Sequence, residues 1–368
     1  MSETTPKPRR RARRAALVTV GVAGAAAAGL AAARRTLHRQ RGLIDPAELS
    51  SLAELPPDDL GTVRSADGTG LTVRAAGPPD APAVVLVHGF SLDMTMWHHQ
   101  WKALSDRYRV IVYDQRGHGR SERGVDSDYS LQAMAADLEA VLDATVGDGP
   151  CVVAGHSMGG MALLAFADEH PQEFGGRIVA AGLFDTAAAE LLSGIVGALG
   201  ARLEMIFRPR VRAALSVRDR AERIRGMIQS RGEDLAYGIA KLTNFGHDAH
   251  PAVIEYVTRI AVRAPAEVWT DAIASMLDMD LKDALHSVKV PTLVVVGDLD
   301  RLTPPATALA LKRSLPDAEM VVFKGAGHIP MLERPDQFND LFRGFLERHL
   351  PAPAKPARRR AAGAKGSA

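Results

Sequence analysis

The sequence predicts a doubly wound, mostly parallel α/β sheet interrupted by an inserted helical cap. Three observations carry this. From Thr62 onward short apolar runs alternate with amphipathic stretches, several of the runs are apolar at every position, and one long interval holds no strand pattern at all. A strand covered by helices on both faces of a parallel sheet has no polar side, so an unbroken apolar run is its mark. Strand and helix in alternation define the doubly wound class.

Seven strands are expected in order: Leu71 to Ala76, Ala83 to His88, Arg109 to Asp114, Cys151 to His156, Arg177 to Phe184, Thr292 to Asp298 and Glu319 to Gly325. Between them, the stretch from Ser130 sets Leu131, Met134, Ala135, Leu138, Val141 and Leu142 on one helical stripe, with Ser130 placed to cap it. Phe338, Leu341, Phe342, Phe345 and Leu346 form a second stripe near the end. From Thr186 to about Pro265 only helical segments appear, read as a cap over the carboxyl edge of the sheet. The expected division is an N-terminal segment at 1–41, a first part of the α/β core at 42–186, the cap at 187–265, a second core part at 266–350, and a disordered basic tail at 351–368.

A chain of 368 residues with 46% hydrophobic content can bury one large core. Its single cysteine, Cys151, lies in an apolar run and reads as a buried, inert thiol. Of 45 basic residues 15 lie in the two end segments, against one of 43 acids, so the middle carries 30 against 42, a net of −12. An acidic body argues against nucleic acid as partner, and basic ends suit anionic lipid. The uncharged run Ala15 to Ala33, flanked by arginines, is about long enough to cross a bilayer but is mostly Ala and Gly. Membrane association through 15–33 is the expectation; a cleaved export signal and a soluble Ala-rich helix are the alternatives.

In an open parallel sheet, sites form beyond the carboxyl ends of the strands. There the sequence places His88-Gly89-Phe90, Asp114-Gln115-Arg116-Gly117-His118-Gly119, Ser157, Asp298 with Asp300, and Gly327-His328. Ser157 stands in GHSMG, the G-x-S-x-G pattern of a sharp strand-to-helix turn whose glycines at 155 and 159 avoid collision with neighbouring backbone. Acyl transfer by serine needs a base for the hydroxyl proton and a carboxylate to orient that base. Asp298, Asp300 and Asp185 all qualify by position as the acid. His88, His118, His156 and His328 all end strands.

Four motifs in order, HGF (88–90), DQRGHGRS (114–121), GHSMG (155–159) and GDLDRLTP with GAGH (297–304, 325–328), make the chain resemble the α/β-hydrolase superfamily, in its esterase-like branch with a helical cap. The resemblance covers about Thr62 to Leu350. It implies Ser157 as nucleophile, Asp300 as acid by the G-x-x-D spacing, His328 as base, and the backbone N–H groups of Phe90 and Met158 as oxyanion hole. The last point also has a physical basis, since the amides of a helix opening at Ser157 point toward developing negative charge. HGF rather than HGGG argues against the hormone-sensitive-lipase-like branch.

Blander readings stand beside these. His88 and His118 read as hydrogen-bonding supports of their loops. His247 and His250 read as solvated, so no metal is expected. Arg116 could bind an anionic substrate but reads better as an ion-paired brace of its turn. With no Gly-rich phosphate loop, no cofactor is expected. A Ser at the central position predicts an acyl-enzyme.

The expected function is hydrolysis of a small-molecule carboxylic ester, lipid-derived if the basic ends hold the chain at a membrane. Carbon–carbon bond hydrolysis or perhydrolysis on the same triad, and a non-catalytic binding protein, are the alternatives. Met205, Ile206, Phe207, Met227 and Ile228 could line an acyl pocket or simply pack the cap.

Overall fold

The computed structural model describes residues 36–39, 41–189, 233–265 and 267–350. Eight strands form one sheet: β1 (Asp58–Arg64), β2 (Gly70–Ala76), β3 (Ala83–Val87), β4 (Arg109–Tyr113), β5 (Cys151–His156), β6 (Ile178–Phe184), β7 (Thr292–Gly297) and β8 (Ala318–Phe323). Their spatial order is β1-β2-β4-β3-β5-β6-β7-β8. β2 pairs antiparallel with β1 and β4, and every other pairing is parallel. The α-helices are α1 (Pro46–Leu52), α2 (His98–Leu104), α3 (Leu131–Thr145), α4 (Met158–Glu169), α5 (Glu233–Asn244), α6 (Pro251–Ala261), α7 (Ile273–Asp278), α8 (Pro305–Ser314), α9 (Pro330–Glu333) and α10 (Pro335–His349). This is the doubly wound, mostly parallel α/β architecture.

Side-chain alternation explains the unbroken apolar runs. In β3, Val85 and Val87 join a core shared with α3, α4 and α8, while Val84 and Leu86 join a second core shared with α2 and α10. The second core is aromatic. Phe184 at the end of β6 meets Phe338 and Phe342 edge-on, at centroid separations of 5.1 and 5.4 Å. Each such ring contributes about 1.5–3 kcal/mol by leaving water. Ser130 caps α3 as expected, its Oγ accepting from Ala133 N at 3.1 Å.

β1 escaped the sequence reading. As one of the two edge strands, with no position fully buried, it carries no apolar run and so no strand signal. Between β6 and β7 the described residues hold helices and no strand, apart from an isolated bridge between Ala189 and Asp280. Arg41, at the end of the basic N-terminal segment, is tied into the body: it donates to Glu255 at 2.7 Å and to Asp234 at 2.9 Å. No helix among the described residues is long and apolar enough to cross a membrane. The run at 15–33, the tail at 351–368 and the residues Met205, Ile206, Phe207, Met227 and Ile228 lie outside the described residues.

Candidate active site

β5 ends at His156, α4 begins at Met158, and Ser157 between them has φ 51° and ψ −118°. A non-glycine residue at positive φ is strained, and such strain persists only where the surroundings over-determine it. Here they do. Ser157 N–H donates to Phe184 O at 2.9 Å, and the Ser157 carbonyl accepts from Gly160 N, Met161 N and Thr186 Oγ1 at 2.9, 3.1 and 2.7 Å. The flanking glycines are required: a Cβ on Gly155 would lie 2.3 Å from Gly159 O, and one on Gly159 would lie 2.4 Å from Val87 O.

Asp300 follows β7 and His328 follows β8. His328 Nδ1 lies 2.8 Å from Asp300 Oδ2, both groups buried. Three further donors converge on the same carboxylate: Leu302 N at 2.8 Å and Thr303 N at 3.0 Å on Oδ1, and Thr303 Oγ1 at 2.7 Å on Oδ2. Burial works against ionisation of Asp300, but the His328 ring and the Thr303 donors outweigh it and hold the carboxyl below its ordinary range. The loop of His328 is braced in turn. His328 N donates to Asn244 O at 2.8 Å, and buried Glu333 accepts from Gly327 N at 2.7 Å and Gly246 N at 2.8 Å.

The Ser157 hydroxyl makes no hydrogen bond with a described residue, His328 included. The two loops meet instead through His156, whose Nε2 donates to the His328 carbonyl at 2.8 Å with the rings 4.9 Å apart. The amides of Phe90 and Met158 also find no acceptor among the described residues. Two unpaired N–H groups, one at the opening turn of α4, are what a developing oxyanion needs.

The remaining strand-end residues are structural in their contacts. His88 donates from Nδ1 to Gly89 O and accepts at Nε2 from Gln115 N, at 2.8 and 2.9 Å. His118 donates from Nδ1 to Arg116 O and accepts at Nε2 from Ser91 N, at 2.9 and 3.2 Å. Burial lowers His88 to about 4 and His118 and His156 to about 3, so these rings stay neutral. Arg116 is buried, with Nε and Nη2 each 2.7 Å from an oxygen of Asp137 and Nη1 2.9 Å from Asp67. Asp298 accepts from Gly325 N at 2.7 Å. His250 pairs with Glu48 at 2.9 Å on the surface.

A sequence profile of the alpha/beta hydrolase family matches residues 84–341. The chain belongs to that family. A thermophilic esterase from Thermogutta terrifontis is 31% identical and superposes with a TM-score of 0.63, covering 78% of this chain and 98% of its own. The 3-oxoadipate enol-lactonase 1 of Acinetobacter baylyi is 25% identical over 77% of this chain and 96% of its own. The pimeloyl-[acyl-carrier protein] methyl ester esterase of Aeromonas hydrophila is 28% identical over 72% of this chain and 95% of its own. Three side chains around this candidate site of the alpha/beta hydrolase chain escaped the sequence reading as members of it. Thr303 lies within the GDLDRLTP motif and was legible in principle. Trp269, in the π-helical turn Val268–Ala272, packs edge-on against Phe90 at 4.9 Å, and no local pattern announced it. Asp185, weighed only as a rival acid, is fully buried, and a carboxyl oxygen of it, a carboxyl oxygen of Asp300 and a ring nitrogen of His328 all lie within 4.8 Å of one another.

Proposed function

We propose that this chain is a serine hydrolase that cleaves a carboxylic ester or lactone through an acyl-enzyme. The observation that carries the reading is the 2.8 Å contact of His328 Nδ1 with Asp300, which fixes the ring so that Nε2 is the basic nitrogen. Ser157 Oγ attacks the carbonyl as His328 Nε2 takes its proton, and Asp300 steadies the imidazolium. The amides of Phe90 and Met158 bind the oxyanion. His328 then returns the proton to the leaving alcohol and activates water for deacylation. Formation of the Ser157–His328 hydrogen bond belongs to the substrate complex, since such contacts tighten there. The esterases and the lactonase among the relatives support an ester or lactone substrate.

A cap at 187–265 supplies the acyl pocket in this reading. The cavity of about 850 Å³ beside Ser91, His118, Tyr256 and Arg263 has neither Ser157 nor His328 in its walls. The run at 15–33 holds the enzyme at an anionic membrane; fractionation with and without residues 1–35 tests that, leaving Arg41 in place.

The central test is reaction with a fluorophosphonate probe, followed by intact mass. The parent gains one adduct, and Ser157→Ala and His328→Ala gain none. A folded parent that stays unlabelled refutes the proposal. Hydrolysis of p-nitrophenyl esters and of simple lactones then ranks the substrates, with losses of 10³-fold or more expected on removing Ser157 or His328.

A further inference from the structure

We propose that Asp185 is a positioning residue, a neutral carboxylic acid that donates its proton to the Asp300 carboxylate and so limits how strongly Asp300 holds a charge on His328. The inference rests on the serine-hydrolase reading for its effect on rate, though not for the proton itself. Asp185 stands just beyond β6 at φ 45°, its N–H donating to Val295 O at 2.8 Å. Its Oδ1 accepts from Gly297 N at 2.9 Å, while Oδ2 is buried and accepts nothing among the described residues. Its neighbour Asp300 lies in the same cluster within 4.8 Å, and no Lys or Arg pairs with either carboxyl among the described residues.

Two buried carboxyls this close, without a cation, cannot both ionise; one keeps a proton. The donors decide which. Asp300 receives Leu302 N, Thr303 N, Thr303 Oγ1 and His328 Nδ1, whereas Asp185 receives one backbone N–H. The charge therefore sits on Asp300 and the proton on Asp185 Oδ2, the oxygen left over once Gly297 is served. Burial and then the Asp300 charge raise the Asp185 carboxyl well above its ordinary range, in the same sense. A metal ion bridging the three groups fits less well, because His328 Nδ1 and Asp300 Oδ2 are already at hydrogen-bonding distance. Other ionisable groups around the cluster include His156 against the His328 ring, His88 beyond it, and Glu333 with Arg334 beneath the loop, while Arg301, next to Asp300, donates to Leu242 O instead. The first two are buried and neutral, and none supplies the missing cation to Asp185.

A hydrogen bond donated to Asp300 draws charge away from its contact with His328. Removing it strengthens the hold of Asp300 on the imidazolium. The test is the pH dependence of fluorophosphonate labelling and ester hydrolysis in the full chain carrying Asp185→Ala or Asp185→Asn. The acid limb is expected to move to higher pH by about half a unit in D185A. D185N, whose amide can both donate to Asp300 and accept from Gly297, is expected to bring it back. Movement of both variants to lower pH would mean a charged Asp185, and no movement in either would mean a filler side chain; each overturns the proposal. Difference infrared spectroscopy of parent against D185N at pH 8 is expected to show a protonated buried carboxyl lost in the variant, and its absence also overturns the proposal. That band needs no turnover, so a parent that fails to label sinks the hydrolase reading alone, and D185N with the infrared measurement decides even if D185A does not fold.

Discussion

His156 Nε2 donates a hydrogen bond of 2.8 Å to the main-chain carbonyl of His328, joining the residue before Ser157 to the loop that carries the proposed base. The nucleophile turn and the base loop are thus one hydrogen-bonded unit across β5 to β8, despite 172 residues of separation. His156→Ala should therefore release His328 from its place rather than remove a reacting group. Labelling and kcat are expected to fall about tenfold, as a misplacement well under 1 Å would cause. The shape of the pH profile should stay as in the parent, because burial keeps His156 neutral, near 3. A profile that shifted with the substitution would show that His156 titrates with the reaction.

Gly155 and Gly159 make a sharper case. A methyl group at either position meets backbone at 2.3 to 2.4 Å, well inside contact distance, and backbone cannot swing aside as a side-chain end can. Gly155→Ala and Gly159→Ala are each expected to abolish labelling and to lower the thermal midpoint, whereas Gly147→Ala, which meets nothing within 4 Å, should keep full labelling at a small cost from its positive φ. Equal labelling in all three variants would remove the steric account of the turn.

Asp114 predicts a pH dependence of stability. Its Oδ1 accepts from Met94 N at 2.7 Å and its Oδ2 from Arg120 N at 2.8 Å. Burial, together with the nearby charge of Asp93, nevertheless pushes its carboxyl up to about 7. The folded state then binds this proton more tightly than the unfolded chain, whose Asp titrates at about 3.9. Stability is consequently lost as pH rises from about 4 to 7, at no more than about 1.4 kcal/mol per pH unit from this group. Urea midpoints at pH 5 and pH 8 should separate more for the parent than for Asp114→Asn; equal separations would place the Asp114 titration outside this window.

Arg116 offers a test of its bracing role. Its guanidinium is buried against an equally buried Asp137, and removing one partner strands the other's charge. Arg116→Met is expected to cost about 3–5 kcal/mol in chemical denaturation. The labelling rate of the folded fraction should stay at the parent value, and a loss of labelling without a loss of stability would return Arg116 to the substrate.

Much of this was legible in the sequence because chemistry and steric need leave marks at fixed spacing. The parallel strands showed as unbroken apolar runs since both faces are covered, and GHSMG showed the turn since no other residue fits at 155 or 159. β1 was invisible for the opposite reason: an exposed edge strand is held by backbone pairing to β2, which side chains do not report. Asp185 could be seen but not understood. Its part in the cluster depends on β6 and β7 lying side by side, a relation between positions more than a hundred residues apart.

The sheet also acts as a ruler. Ser157, Asp185, Asp300 and His328 follow β5, β6, β7 and β8, four adjacent rungs of one ladder. Neighbouring rungs are fixed at about 4.8 Å by backbone hydrogen bonds that no side chain sets. The coarse separation of the four groups is thus inherited from the peptide unit itself, and only the last few ångströms are left to the turns. Helix exteriors are therefore free to drift while the constellation stays in register, and distant relatives can keep the same arrangement with most of their residues exchanged.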